Sequence, residues 1–120
     1  MNIAWQYLDK RDATISALKD YESMRFITAQ APEMMPADDT LDALAAKYHQ
    51  AQAYMAWFQP AWEAITADER FVLQCFYMQA EQQQTDNVYD ICEAFRIERT
   101  SAYKKKDRAL SRLSLMLYGR

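Results

Sequence analysis

Apolar side chains recur between residues 41 and 65 at alternating intervals of three and four: Leu41, Leu44, Tyr48, Ala51, Met55, Phe58, Trp62 and Ile65. That spacing lays them in one stripe along a helix, the heptad pattern of a coiled-coil seam. Pro60 lies off the stripe. Lacking an amide proton, it should kink or interrupt the helix just before it. Upstream, Trp5, Leu8, Ile15, Leu18, Tyr21 and Phe26 share a broad face over residues 3–30, with Lys10, Arg11, Asp12, Lys19 and Glu22 mostly elsewhere, which predicts one amphipathic helix. Between the two, Pro32 and Pro36 each disfavour helix at the preceding residue, and Asp38 or Asp39 can cap the second helix. Two long helices with a short Pro-containing link predict an antiparallel hairpin. The same seam offers a homodimer contact through residues 41–65.

Beyond the hairpin the helices shorten. Thr66-Ala67-Asp68-Glu69 has the form of a capping box, with the Thr66 hydroxyl serving the amide three residues on and Glu69 reaching back. It should start a helix over 67–80 with Phe71, Val72, Cys75, Phe76 and Met78 mostly inward. A polar connector, EQQQTDN, precedes a helix at about 87–95 that buries Val88, Ile91, Cys92 and Phe95. A tight turn at Arg96-Ile97-Glu98 leads to a last helix over 99–118, with an inner stripe of Ala102, Ala109, Leu110, Leu113, Met116 and Leu117. Glycine occurs once and proline three times in 120 residues, so breakers are too few for a strand-and-turn architecture. The fold class predicted is all-α: an N-terminal helical hairpin over 1–65, then a three-helix helix-turn-helix module over 66–120.

Charge changes the picture at the C-terminal end. Residues 96–120 carry eight Lys/Arg against Glu98 and Asp107, a net of +6, while residues 1–95 carry six basic and fifteen acidic side chains, a net of −9. The overall −3 hides a dipolar molecule. A basic helix on an acidic chain is the electrostatic footprint of a polyanion site, because Lys/Arg clusters release counterions when they meet phosphates. Two helices joined by a three- or four-residue turn, the second basic and ending in an apolar anchor, have the form of a helix-turn-helix. In that arrangement Cys92 supplies a small residue where the helices cross, Ile97 pins the corner, and Ala102 lets the last helix sit close. Thr100, Tyr103, Lys104 and Asp107 then project outward, and Arg99 reaches a base edge or a phosphate. The candidate DNA-contacting residues are therefore Arg99, Thr100, Tyr103, Lys104, Lys105, Lys106, Arg108 and Arg112.

Other chemistry is poorly represented. His49 stands without Cys or acid companions at metal-ligand spacing, and Asp38, Asp39 and Asp42 have the placement of helix-start acids. There is no glycine-rich phosphate cradle, nucleophile elbow or Cys/His dyad, so neither enzyme activity, a cofactor nor a metal is expected. No apolar run approaches the roughly 18 residues needed to span a bilayer. The N-terminus, MNIAWQYLDKRD, lacks the pattern of a signal peptide. Cys75 and Cys92 are expected to be reduced, buried and cytoplasmic.

The stretch from Thr66 to Gly119, about 45% of the chain, resembles region 4 of sigma-70-type factors: ADERFVLQCFYM, then VYDICEAF, then Ile97, Tyr103 and Arg108-Ala109-Leu110-Ser111-Arg112-Leu113. With its N-terminal helix (Tyr7, Leu8, Arg11, Ile15, Leu18, Arg25), the Pro-containing break and the second long helix, the whole chain is similar to small phage and prophage late-gene regulators of the RinA/ArpU type. The resemblance implies a sequence-specific transcriptional regulator that binds double-stranded DNA through Arg99, Thr100, Tyr103 and Lys104, with RNA polymerase as a further partner. The chain departs from the pattern at Glu98, usually Ser, at Arg96, usually a small turn residue, and at Lys105, usually apolar. The connector before Ile91 is also about five residues longer and lacks its glycine. Two other readings share these features: a protein-interaction module with a degenerate helix-turn-helix, and a small terminase-type DNA-recognition subunit.

Overall fold

Long Ala-, Gln- and Leu-rich stretches with almost no glycine leave the backbone one economical way to satisfy its amides, and a computed structural model of the chain shows only helices among its described residues. The backbone is described for residues 3–30, 41–78 and 84–119, and the side chains for 10–30, 44–78 and 88–119. The elements are α1 (Ile3–Gln30), α2 (Leu41–Ala64), α3 (Ala67–Tyr77), α4 (Gln84–Phe95) and α5 (Arg99–Tyr118). The proposed break at Pro32 and Pro36, the caps at Asp38 or Asp39, and the side chains of Trp5, Tyr7, Leu8 and Leu41 lie outside the described residues.

Helices α1 and α2 pack as a pair. Tyr21 lies against Phe58 and Trp62, with ring centroids 5.4 and 5.8 Å away, and donates a 2.9 Å hydrogen bond to Gln59. Tyr54 donates to the Ala17 carbonyl and stacks on Phe58. Burial, with the nearby Asp20 and Tyr21 adding to it, pushes the Tyr54 phenol pKa well above its ordinary value and keeps it protonated. Of the kink or interruption expected at Pro60, the interruption does not occur: α2 runs through it to Ala64. Pro60 and Ala56, whose carbonyl loses its partner there, are both exposed, so water can take up the unused acceptor.

The heptad stripe is only partly a seam. Ala51, Phe58, Trp62 and Ile65 are buried, whereas Leu44 is exposed and Tyr48 and Met55 are half-buried. The buried members do not wait for a second chain. Phe58, Trp62 and Ile65 join Ala17 and Leu18 of α1, Leu73 of α3 and Ala109, Leu110 and Leu113 of α5 in one core. The boundary between residues 65 and 66 falls in the link from α2 to α3, and this core crosses it. A second cluster belongs to α3, α4 and α5: Val72, Cys75, Val88, Ile91 and Ala102, flanked by Phe71, Phe76, Cys92, Phe95 and Ile97. Met116, expected on the inner stripe of α5, is exposed, and Leu117 is half-buried.

The link from α2 to α3 is held from both sides. Thr66 and Glu69 form the reciprocal capping box, with bonds of 3.1 and 2.8 Å. The Arg70 guanidinium donates to the Trp62 and Ile65 carbonyls at 3.2 and 2.6 Å, covering acceptors that the end of α2 leaves free. α3 ends at Tyr77 rather than near residue 80.

Candidate nucleic-acid interface

The corner between α4 and α5 is built from three residues. Arg96 takes φ of 54°, in the left-handed region, which reverses the chain after Phe95. For a non-glycine residue that conformation costs about 1 kcal/mol or more. The Ile97 amide donates to the Cys92 carbonyl at 3.0 Å, and the Ile97 side chain packs on the second cluster. Glu98 is extended, and its carbonyl accepts the first bond of α5, from Ala102. Its side chain makes no cap, so the first turn of α5 keeps amides that water or an anion can serve. Ala102 is fully buried where α5 crosses the cluster, in agreement with the spacing. Cys92 is half-buried beside it, and the wholly buried thiol is Cys75. Burial, with Asp90 adding to it, pushes the Cys75 thiol up and holds it protonated.

With Ala102, Ala109, Leu110 and Leu113 turned inward, a period of 3.6 turns Thr100, Lys104, Arg108 and Ser111 outward. All four are exposed, as are Arg99 and Ser101 on the first turn. Arg99, Lys104 and Arg108 have no ion-pair partner among the described residues. Ser101 and Ser111 are not among the sequence candidates, although their spacing to Lys104 and Arg108 places them on the same face. The exposed Arg96 adds a fourth cation at the corner.

The other proposed contacts are held within the protein. Lys105 lies with Nζ 4.6 Å from the centre of the Phe95 ring. Lys106 has only 14% of its side chain exposed, pairs with Asp107 at 2.9 Å and sits over the rings of Phe76 and Tyr103. Asp107, expected to project outward, is exposed and also receives Arg11 of α1 at 3.4 Å. The hydrogen bond from Lys106, reinforced by that charge and by Arg11, holds its carboxyl below the usual range. Arg112 turns toward Glu69, 3.5 Å away. Tyr103 stands edge-on to Phe76, centroids 5.5 Å apart, and remains 40% exposed.

Around this face the charge is mixed. Glu98 lies at its start and the exposed acids Asp90 and Glu93 lie on α4. A groove of about 260 Å³ between the start of α3 and α5 is lined by Asp68 and Glu69 as well as Lys105 and Arg108, so it favours neither sign of ligand. Among the described residues no group of acids, His or Cys is placed to hold a metal, and no helix is long and apolar enough to cross a membrane. The chain matches no protein-family model, no curated protein and no solved structure.

Proposed function

We propose that this chain is a sequence-specific DNA-binding transcriptional regulator of phage or prophage type. In this reading α3–α5 form a sigma-region-4-like helix-turn-helix and α5 is the recognition helix. The observation that carries it is the outward row of Thr100, Lys104 and Arg108, with Arg99 and Arg96 at its head, on a helix whose opposite side is locked into two cores. A rigid helix with free cations on one face is what major-groove entry requires. Arg99, Thr100, Tyr103 and Lys104 lie nearest the bases, and Arg99 and Lys104 also reach the phosphates that Arg96 and Arg108 meet. Helices α1 and α2, as an antiparallel hairpin, brace α5 and present the module to RNA polymerase. The exposed Leu44 end of α2 is the part of the seam left for a second copy.

The test is capture of sheared DNA from the chain's own genome at moderate salt, comparing wild type with Arg99→Ala/Lys104→Ala. One enriched motif, lost in the double variant, is the expected result. Absence of enrichment by a folded protein would sink the proposal. Deleting residues 96–120 is a poor control, because it removes Ala109, Leu110 and Leu113 from the core.

A protein-docking role is the second reading, favoured by the internal pairing of Lys106 and Arg112 and by acids beside the basic face. A largely apolar protein contact would change little between low and moderate salt, whereas phosphate contacts would weaken by orders of magnitude.

A further inference from the structure

The aromatic on the proposed contact face does not stand alone. The Tyr103 ring meets two neighbours from the protein side, the Phe76 ring at 62° to it and the Lys106 ammonium 5.8 Å from its centre. The same ammonium lies 5.5 Å from the Phe76 ring and pairs with Asp107, which Arg11 holds from α1. A cation held by a carboxylate and attracted to two rings restrains the motion of both. The Tyr103 hydroxyl has no hydrogen-bond partner among the described residues, and the residue is 40% exposed.

From this arrangement we infer that Lys106 is a positioning residue for base readout by Tyr103 and makes no phosphate contact itself. The inference rests on the DNA-binding reading, and it divides the run Lys104–Lys106 by role. Lys104 faces outward, Lys105 lies on Phe95, and Lys106 orders the reading side chain from beneath. Tyr103 is then a specificity residue, able to place an oriented ring edge and hydroxyl against a base.

The role separates cleanly from a phosphate contact because the two leave different signatures. Each phosphate contact adds about 0.9 to the slope of log affinity against log salt. A positioning cation leaves that slope alone and changes which sequences are preferred. The experiment uses the full chain. Wild type, Lys106→Met, Lys106→Arg, Phe76→Leu, Tyr103→Ala and Lys104→Met are each selected against a randomised duplex library and titrated at several salt concentrations.

Lys106→Met is expected to keep the wild-type slope while lowering discrimination about two- to fivefold at the step that Tyr103→Ala also flattens, the scale of a lost cation–ring contact. Lys106→Arg should restore the preference, and Phe76→Leu should mimic Lys106→Met without altering charge. Lys104→Met should instead reduce the slope by about 0.9. A loss of slope in Lys106→Met, or base preferences unchanged in both Lys106→Met and Phe76→Leu, would overturn the inference.

Proton NMR of the free protein tests the same point without DNA. Contacts between the Phe76 and Tyr103 rings should weaken in Lys106→Met and persist in Lys106→Arg; unchanged contacts in Lys106→Met would overturn the positioning role. Failure of wild type to bind any duplex would remove the DNA-binding reading, and with it base readout, while the ring measurement would still report on Lys106.

Discussion

Glu98 is the residue at which the local rules and the proposed role disagree most directly. It occupies the N-cap of α5 with no side-chain bond to the first turn, and its carboxylate stands at the end of the helix where an anion would approach. Serine there would accept from a free amide and remove a repulsive charge. Glu98→Ser is therefore expected to raise stability by about 0.5–1 kcal/mol in urea denaturation and to tighten binding to duplex DNA. Weaker binding from a more stable protein would show that the Glu98 carboxylate contacts the ligand. Much at this scale is legible in the sequence. The capping box at Thr66, the buried Ala102 and the anchor at Ile97 emerge from spacing alone, because each meets a local backbone demand. The roles of Lys105, Lys106 and Arg112 do not, since Phe95 of α4 and Phe76 and Glu69 of α3 are brought to them only in the packed structure.

At the scale of elements, α1 ends at Gln30 and α5 spans Arg99–Tyr118 as the pattern predicts, whereas α3 stops at Tyr77, short of residue 80, and α4 begins at Gln84, inside the expected connector. Pro60 is where propensity gave way to packing. Phe58 and Trp62, stacked 5.8 Å apart on the buried side, hold α2 helical through a residue that cannot bond within it. Pro60→Ala should restore one backbone bond on the exposed side and stabilise the protein by about 1–3 kcal/mol. Destabilisation in denaturant titration would mean that Trp62 and Ile65 need a bend at this point.

The joint between α1 and α5 is electrostatic at its edge and has a defined sign. Asp107 is more acidic in the folded chain than its ordinary value, so its contribution is present above that value and is lost as pH falls through the lower, folded one. The loss therefore occurs at and below about pH 4. In Asp107→Asn the melting temperature should fall less steeply with pH across that window than in wild type. Parallel curves would show that the link to Lys106 and Arg11 has no energetic consequence.

For the molecule as a whole, the decisive quantity is how many cations remain free to meet phosphates. Charge counting along the chain points to six on α5: Arg99, Lys104, Lys105, Lys106, Arg108 and Arg112. In the folded protein, Lys105 lies on Phe95, Lys106 is enclosed, and Arg112 faces Glu69; Arg96, Arg99, Lys104 and Arg108 are left. Six contacts predict a slope of log affinity against log salt of roughly −5, and four predict roughly −3.6. Between 50 and 200 mM salt, the difference is about a thousandfold loss of affinity against about a hundredfold. The acidic remainder of the chain also makes the slope shallower, since salt screens its repulsion of DNA while it weakens the contacts. Fluorescence anisotropy on a short duplex at four salt concentrations is expected to give a slope no steeper than about −4. Freeing Lys105, Lys106 and Arg112 as well would make seven contacts and a slope of roughly −6, so a slope of about −5 or steeper would mean that at least two of them leave their internal partners on binding. The basic helix would then be remodelled by the DNA, and its free and bound surfaces would be different sites.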